Sequence, residues 1–301
     1  MHFEKSVGCY EAAIGCGASG IGRRRVEVVY FPPFAKTKSA KGGAPAAASD
    51  DVSMDQPSEE QMNGSTRQPG ATSETSVQPV SVRAPKTLKL AAAFELLVAV
   101  LLVWGSFPYI PFGNTVGLLL LGSASLWVRG SGWRAIGLQR PKSWVKTLAW
   151  ALGLGIASQV LDLEIATPLL TRITGQVPDL SNFRSMIGNV PQLLRWLAVT
   201  WSIAAFGEEM AYRGYILNRA ADAFGRGRPA WIFAAILSSA LFGLTHQYQG
   251  VAGVIDVTVF AFIPVIAYFL SGRNLWIPIL AHGIGDTIAF LLIFFHRYPG
   301  L

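Results

Sequence analysis

Three short polar sequences lie within otherwise apolar stretches and contain side chains that can carry out hydrolysis. They are FGEEMAYRG at 206–214, ALFGLTHQYQG at 240–250 and PILAHGIGDTIAF at 278–290. Carboxylates and imidazoles are common proton acceptors and donors in enzymes, and they also bind metals. The residue types therefore predict acid–base or metal-assisted chemistry.

The first sequence combines two adjacent carboxylates with an arginine. On a helix, Glu209 and Arg213 are four residues apart and share a face, so they can pair and offset part of the cost of burying both charges. Glu208 is rotated by about 100° from Glu209 and is left without this partner. An unpaired carboxylate in apolar surroundings is a candidate general base. The alternative is a charge cluster at a helix end, among lipid headgroups.

The other two sequences each supply a histidine. Phe242 and His246 are four residues apart, so the phenyl ring can pack beside the imidazole. A lone histidine near a helix end is more often an interfacial residue. His282 and Asp286 are also four apart, on one face of an apolar helix. Asp286 can orient the imidazole, or both can face a shared water or metal; the alternative is a polar patch that holds helices together.

The coincidence of the three sequences carries more weight than any one of them. A charge in hydrocarbon costs roughly 2.5–3.5 kcal/mol even on the most lenient scale, so such residues are informative. Three separate helices that each send one polar cluster inward can build a site within a bundle. The other acids within predicted spans are Glu95, Asp162 and Asp256.

The composition indicates a membrane protein. Of the 301 residues, 51% are hydrophobic and 14% charged, whereas about a quarter of a soluble domain is charged. The first 90 residues hold nine of the 18 acids and 11 of the 25 bases, so charge is sparse afterwards. The cysteines, Cys9 and Cys16, both lie in that first part, which excludes a cysteine nucleophile, a cysteine zinc site and a disulfide from the rest.

Seven apolar stretches have lengths close to that of a membrane span, and we predict an all-α, polytopic bundle of about seven helices, or eight. The stretches cover 90–108, 112–128, 144–165, 192–213, 230–246, 253–271 and 275–295, and the second and fifth are short. The longest connection, 166–191, contains three prolines that break helices, and we interpret it as a loop that lies along the interface or forms a lid.

The distribution of bases predicts a cytoplasmic N-terminus. With this orientation 12 Lys and Arg residues lie inside and four outside. The bases form short clusters between apolar runs, so the net charge of +7 reflects topology, and we expect no nucleic-acid partner. The same topology puts His246 near the outer end of its helix but Glu208 and His282 in the inner halves of theirs, a tension that a shifted boundary would remove.

Residues 1–88 form a low-complexity segment that we predict to be disordered, and 89–301 form the membrane domain. The segment is rich in Ala, Gly, Ser, Pro and Thr and cannot bury enough apolar surface to offset its ordering entropy. It has no secretory signal pattern. Arg23–Arg25 suggest a transit peptide, although acids interrupt the region, and an over-extended reading frame that truly starts at Met54 or Met62 is an equal alternative.

Taken in order, the three motifs resemble those of the CPBP family, which includes the type II CAAX prenyl proteases and the bacteriocin-processing or immunity (Abi) proteins. The motifs are Glu-Glu-x-x-x-Arg at 208–213, Phe-x-x-x-His at 242–246 and His-x-x-x-Asp at 282–286. Supporting features are Tyr-Arg-Gly at 212–214, Asn-Leu-Trp-Ile-Pro at 274–278 and Ile-Gly-Leu-Gln-Arg-Pro at 136–141. The motifs cover about 192–290, and the last feature extends the resemblance to about 130.

The resemblance implies an all-helical intramembrane endopeptidase with a water-filled cavity. Glu208 would activate the attacking water and His246, supported by Phe242, would help to hold it. His282 and Asp286 would bind the oxyanion or a second water, and Glu209 with Arg213 would be a supporting ion pair. The family often has Asn where this chain has Asp286, and ionised Asp cannot donate a hydrogen bond. Asp286 would then orient His282, stay protonated or bind a metal.

The resemblance leaves metal dependence open, because the family is often labelled metalloprotease. Glu208, His246, His282 and Asp286 are the candidate ligands of a zinc ion with an open position for water. The chain has no His-Glu-x-x-His sequence, and a metal-free glutamate mechanism uses the same residues. We expect no obligatory metal and keep zinc as the alternative.

The expected partners are the lipid bilayer and a peptide or membrane-protein substrate, with the oligomeric state left open. We assign the protein to the inner membrane of a bacterial cell, where prenylated CAAX proteins are not expected targets. One alternative is a catalytically inactive CPBP-like scaffold or immunity protein, although a scaffold has no need of this polar set. Another alternative is a proton-coupled transporter. The sequence shows no obvious inverted repeat, which argues against it.

Overall fold

The computed structural model describes residues 86–106, 112–299 and 301, and this part of the chain is helical without strands. The α-helices are α1 Lys86–Ser106, α2 Gly113–Val128, α3 Trp144–Leu161, α4 Thr167–Thr174, α5 Val190–Val199, α6 Leu217–Ala223, α7 Arg228–Leu244, α8 Gly250–Phe260, α9 Phe262–Leu270 and α10 Trp276–Phe294. Two π-helical segments, Asp162–Ala166 and Thr200–Ile216, join α3 to α4 and α5 to α6. Short 3₁₀ helices cover Trp133–Ile136, Ser181–Met186 and Gln247–Gln249. The all-α prediction is confirmed, whereas the predicted disordered segment lies, up to residue 85, outside the described residues.

Each of the seven predicted apolar stretches coincides with helix. Four helical segments of the described chain are long and apolar enough to cross a membrane: Lys86–Gly105, Trp144–Thr174, Gln247–Leu270 and Trp276–Phe294. The two stretches predicted to be short form α2 and α7, with 16 and 17 residues. Large apolar side chains such as Leu90, Trp104 and Leu270 remain exposed on the outside of the helices. This is the architecture of a multi-pass membrane protein.

The prediction that 166–191 is a loop is wrong for its first third. The π-helical segment carries α3 directly into α4, so helix continues to Thr174. Pro168 does not break it, because it directly follows the π-helical segment, and a local π-type adjustment of the hydrogen bonds accommodates a proline inside a membrane helix. The helix ends at Gly175, whose φ of 70° is the left-handed conformation that glycine adopts readily.

The run from α5 to α6 forms the interior of the bundle. Residues 207–221 are buried at every position, as expected for a helix that neighbours enclose on all sides. Its middle, Thr200–Ile216, has the i→i+5 hydrogen bonds of a π-helix, and such turns are frequent at functional sites. The first polar motif lies in this segment.

Two accessory features of the sequence resemblance contact each other. Leu275 donates its backbone N–H to the Gly137 carbonyl at 2.9 Å, and the Asn274 side-chain amide donates to the Gln139 carbonyl at 2.8 Å. Gly137 has φ 123°, and a Cβ there would lie 2.8 Å from the Arg273 carbonyl oxygen. The loop at 136–141 therefore fixes the turn from which α10 starts.

Small residues allow α10 to approach its neighbours closely. A Cβ on Gly155 of α3 would lie 2.8 Å from the Ala281 carbonyl oxygen of α10, and one on Gly283 would lie 2.7 Å from the Trp201 ring. Close backbone approach through small residues is the usual way helices pack in a membrane. The position of His282 therefore depends on these contacts.

We predict that Gly155→Ala destabilises the protein, whereas Gly153→Ala on the same helix does not. A Cβ at Gly153 meets nothing within 4 Å, so that variant gains only helix propensity. At Gly155 the added methyl must push α3 and α10 apart, at a cost of about 1–3 kcal/mol. Thermal unfolding in detergent measures both, and equal midpoints for the two variants would contradict the packing described.

Candidate active site

A fully buried ion pair forms the base of the site. Glu209 Oε1 lies 3.0 Å from an Arg213 guanidinium nitrogen, and the two side chains are 0% and 1% exposed. The pair expected from the four-residue spacing thus forms, although the segment is π-helical rather than α-helical. Arg213 also donates to the Ala261 carbonyl at 3.2 Å, which ties the central helix to the junction of α8 and α9.

The same Glu209 oxygen also holds His282. It lies 3.0 Å from His282 Nδ1, and because an ionised carboxylate only accepts hydrogen bonds, Nδ1 carries the proton. On the other side of the ring, His282 Nε2 lies 3.6 Å from Asp286 Oδ2, which is an ion-pair contact but too long for a hydrogen bond. Arg213, Glu209, His282 and Asp286 therefore form a continuous polar chain across two helices. The sequence predicted both ends of this chain, but not the link between Glu209 and His282.

Phe242 lies at the centre of these polar groups. The Arg213 guanidinium carbon is 4.4 Å from the centre of the phenyl ring, a cation–π contact. The same ring centre is 5.0 Å from that of His246 and 6.1 Å from that of His282. Phe242 therefore fixes the separation between the two imidazoles.

His246 is held in one tautomer by Phe242. Its Nδ1 lies 3.0 Å from the Phe242 carbonyl oxygen, which can only accept, so Nδ1 carries the proton and Nε2 of the neutral ring is an acceptor. His246 and Glu208 line the same cavity, although the predicted topology placed them towards opposite ends of their helices. Helix α7 ends at Leu244, and His246 lies in the turn beyond it.

Glu208 differs sharply from its neighbour Glu209. It is 8% exposed and makes no hydrogen bond or ion pair within the described part of the chain. Its carboxylate lines a cavity of ≈ 610 Å³ together with His246, His282 and Asp286. The three motifs thus meet at one cavity. Glu208, which the four-residue spacing left without a partner, is also the carboxylate that makes no ion pair in the described structure.

Further polar residues line the cavity beyond these motifs. Asp162, one of the acids noted in the sequence, accepts hydrogen bonds from Tyr298 and Thr167, both at 2.9 Å. Asp256 also lines it, with one carboxylate oxygen that is buried and has no partner among the described residues. Glu95 lies elsewhere, in an ion pair with Arg129.

Tyr248 is a lining residue that the sequence reasoning missed. Its ring centre is 5.8 Å from that of His246, and its hydroxyl accepts a hydrogen bond from the Gln249 side chain at 3.0 Å. The sequence feature that could have identified Tyr248 is its place in the polar run His-Gln-Tyr-Gln at 246–249, which directly follows an apolar stretch. No spacing rule distinguishes such a residue from an ordinary interfacial tyrosine.

The positions of the possible ligands, rather than their chemical types, do not fit a catalytic zinc site. Catalytic zinc is held by three protein ligands and a water. His282 Nδ1 is occupied by its hydrogen bond to Glu209, whereas Glu208, Asp286 and the Nε2 atoms of both imidazoles remain as possible ligands. Within the described residues no group of three or more His, Cys, Asp or Glu side chains is arranged to hold a metal ion.

We predict that Arg213→Leu strongly destabilises the protein, because it leaves the buried Glu209 carboxylate without its counter-ion. Removing one partner of a buried ion pair costs about 3–5 kcal/mol. The control Arg184→Leu, at an exposed position, should change stability little. Thermal unfolding of both variants in the same detergent is the measurement, and equal midpoints would contradict a structural role for the pair.

Comparison with known proteins supports the sequence resemblance. The family model described as type II CAAX prenyl endopeptidase Rce1-like matches residues 190–288, from the start of α5 to within α10. Comparisons with curated proteins and with solved structures gave no match. The matched segment contains all three motifs and every residue of the polar chain. Residues 190–288 of this multi-pass membrane protein therefore form a domain of the Rce1-like type II CAAX prenyl endopeptidase family, a family of peptidases.

Proposed function

We propose that the protein is an intramembrane endopeptidase in which Glu208 and His246 activate water. The observation that carries the proposal is the unpaired Glu208 carboxylate, which lines one cavity with His246, His282 and Asp286. A carboxylate that is buried without a partner lowers the stability of the protein. Such a residue is expected where the site needs a group that takes up a proton.

A single water that donates both of its protons is the proposed nucleophile. The ionised Glu208 carboxylate and His246 Nε2 are both acceptors, so one water can donate to each and present a lone pair to a peptide carbonyl carbon. As the C–O bond forms, Glu208 takes the proton of the attacking water. It then returns this proton to the leaving amine nitrogen when the C–N bond breaks.

His282 is the donor for the oxyanion of the tetrahedral intermediate. The His282–Asp286 pair can carry one further proton, because Nδ1 already donates to Glu209 and Nε2 faces the Asp286 carboxylate. When that proton resides on Nε2, the ring is a cation that can donate to a developing negative charge. Asp286 holds the proton on this side of the ring and need not touch the substrate.

The substrate is a peptide segment that reaches the cavity from the bilayer. Exposed apolar side chains surround the helices that enclose the cavity, so a membrane-associated segment reaches it with less desolvation than a soluble one. The volume of ≈ 610 Å³ is within the range of sites that enclose a ligand of a few residues.

We predict that Glu208→Gln lowers cleavage by about 10²–10⁴-fold, the usual contribution of a general base, without lowering the unfolding midpoint. The substitution keeps the shape of the side chain and removes only its basicity. His246→Ala should lose a similar factor, because the water loses its second acceptor. Cleavage of a membrane-peptide library by purified protein is the measurement, with the exposed Glu164→Gln as a matched control.

Several outcomes of that experiment would contradict the proposal. Cleavage that survives both substitutions would remove Glu208 and His246 from the mechanism. Loss of cleavage on chelation with restoration by zinc would replace the metal-free mechanism. Proton-coupled transport without cleavage, or partner binding that all the variants retain, would favour the transporter or the scaffold.

We predict graded losses at Asp286, with Asp286→Asn milder than Asp286→Ala. Asn retains an oxygen toward His282 but has no negative charge to favour the imidazolium, so kcat should fall by about 10–100-fold, which corresponds to about 1.4–2.7 kcal/mol of lost transition-state stabilisation. KM should stay unchanged if Asp286 does not touch the substrate. A large rise in KM for Asp286→Asn would instead mean that this carboxylate binds the substrate directly.

A further inference from the structure

A basic cluster lies at one end of the bundle, outside the cavity. Helices α6 and α9 both end in Gly-Arg, at Gly225-Arg226 and Gly272-Arg273, and all four residues have positive φ: 88°, 58°, 74° and 64°. In both turns the Arg N–H donates to a carbonyl five residues earlier, at 2.8 and 2.7 Å, as in a Schellman motif. Two unrelated helix ends thus present an arginine in the same way.

Both arginines pack against one tryptophan. The guanidinium carbons of Arg226 and Arg273 lie 5.1 and 5.6 Å from the Trp231 ring centre, so two cations share one indole. A third cation lies close by, because the Lys89 ammonium is 3.0 Å from where a Cβ on Gly225 would be. Like charges so close to one another repel unless an anion lies among them.

The carboxylates nearby do not balance these charges. Asp222 pairs with both Arg219 and Arg226, at 2.9 and 2.8 Å. Within the described residues, neither Lys89 nor Arg273 has a carboxylate partner. Two positive charges therefore remain without a counter-ion in the described part of the chain: Arg273 beside the Trp231 indole and Lys89 beside Gly225.

The cluster lies where the apolar helices begin and end. Lys89 is in the first turn of α1, and Trp231 is in the first turn of α7. Leu270, the last residue of α9, is 83% exposed, and Phe224 after α6 is 58% exposed. Exposed apolar side chains next to Trp and basic residues are typical of the level of the lipid headgroups.

We infer that Lys89, Arg226, Trp231 and Arg273 form a binding site for the headgroup phosphate of an anionic phospholipid. Guanidinium and ammonium groups donate charge-assisted hydrogen bonds to phosphate oxygens, and the neighbouring exposed apolar side chains fit the acyl chains. A lipid is favoured over a soluble anion because both parts of the molecule have a complementary surface here. The site is separate from the proposed peptidase cavity and does not depend on its activity.

The test uses the full chain in nanodiscs of phosphatidylcholine with increasing phosphatidylglycerol. Wild type should retain phosphatidylglycerol in native mass spectrometry and unfold at a higher temperature as its fraction rises. Lys89→Gln/Arg273→Gln should weaken this binding by about tenfold or more, since each basic residue near a lipid surface contributes about 1 kcal/mol. The matched control is Arg140→Gln/Lys142→Gln, which removes two exposed bases from the loop at the same end and should bind like wild type.

Two further measurements distinguish a lipid phosphate from a soluble one and verify that the variants fold. Soluble glycerol phosphate at millimolar concentration should not displace the lipid, and full displacement would overturn the inference in favour of a free phosphate site. Arg273→Lys keeps the charge and should retain most of the binding, and unfolding in pure phosphatidylcholine verifies that each variant folds. Wild-type binding by the Gln pair, or equal losses in the control, would overturn the specific site.

Discussion

The structure depends on the cost of burying the Glu209 carboxylate. That side chain is 0% exposed, and a buried charge is tolerated only when partners surround it. One of its oxygens lies 3.0 Å from both Arg213 and His282, so the central helix and α10 must stay in register. Phe242 completes the arrangement through the contact of its ring with Arg213. The positions of both imidazoles follow from this one anion.

Two adjacent glutamates thereby acquire different roles. The Glu209 carboxylate is buried in an ion pair that holds the helices together. Glu208 instead lines the cavity and has no partner in the described part of the chain. His246 and His282 are similarly distinguished, since one ring is bound to a carbonyl and the other to a carboxylate. In the proposed mechanism one imidazole is therefore a hydrogen-bond acceptor and the other a donor, and hydrolysis through a tetrahedral intermediate requires both.

Much of this arrangement could be predicted from the sequence, because hydrophobicity and spacing are local properties. Apolar length located the helices, and the four-residue spacing identified the Glu209–Arg213 pair. The predictions that the structure corrected concern backbone geometry and long-range contacts, which residue spacing does not encode. Pro168 was taken to end a helix that a π-helical segment carries past it, and the contact between Glu209 and His282 joins residues 73 positions apart. The sequence also placed His246 at the end of its helix, whereas α7 ends at Leu244 and His246 lies in the turn beyond it.

The central claim is that Glu208 and His246 hold the attacking water while His282 binds the oxyanion. A structure of the chain bound to a peptide phosphonate, whose tetrahedral phosphorus mimics the intermediate, tests this most directly. We expect one phosphonate oxygen, which carries a proton as the attacking water does, between Glu208 and His246 Nε2, and the other within hydrogen-bond distance of His282 Nε2. A phosphonate whose oxygens contact neither Glu208 nor His282, or that binds through a metal ion held by both histidines, would contradict it.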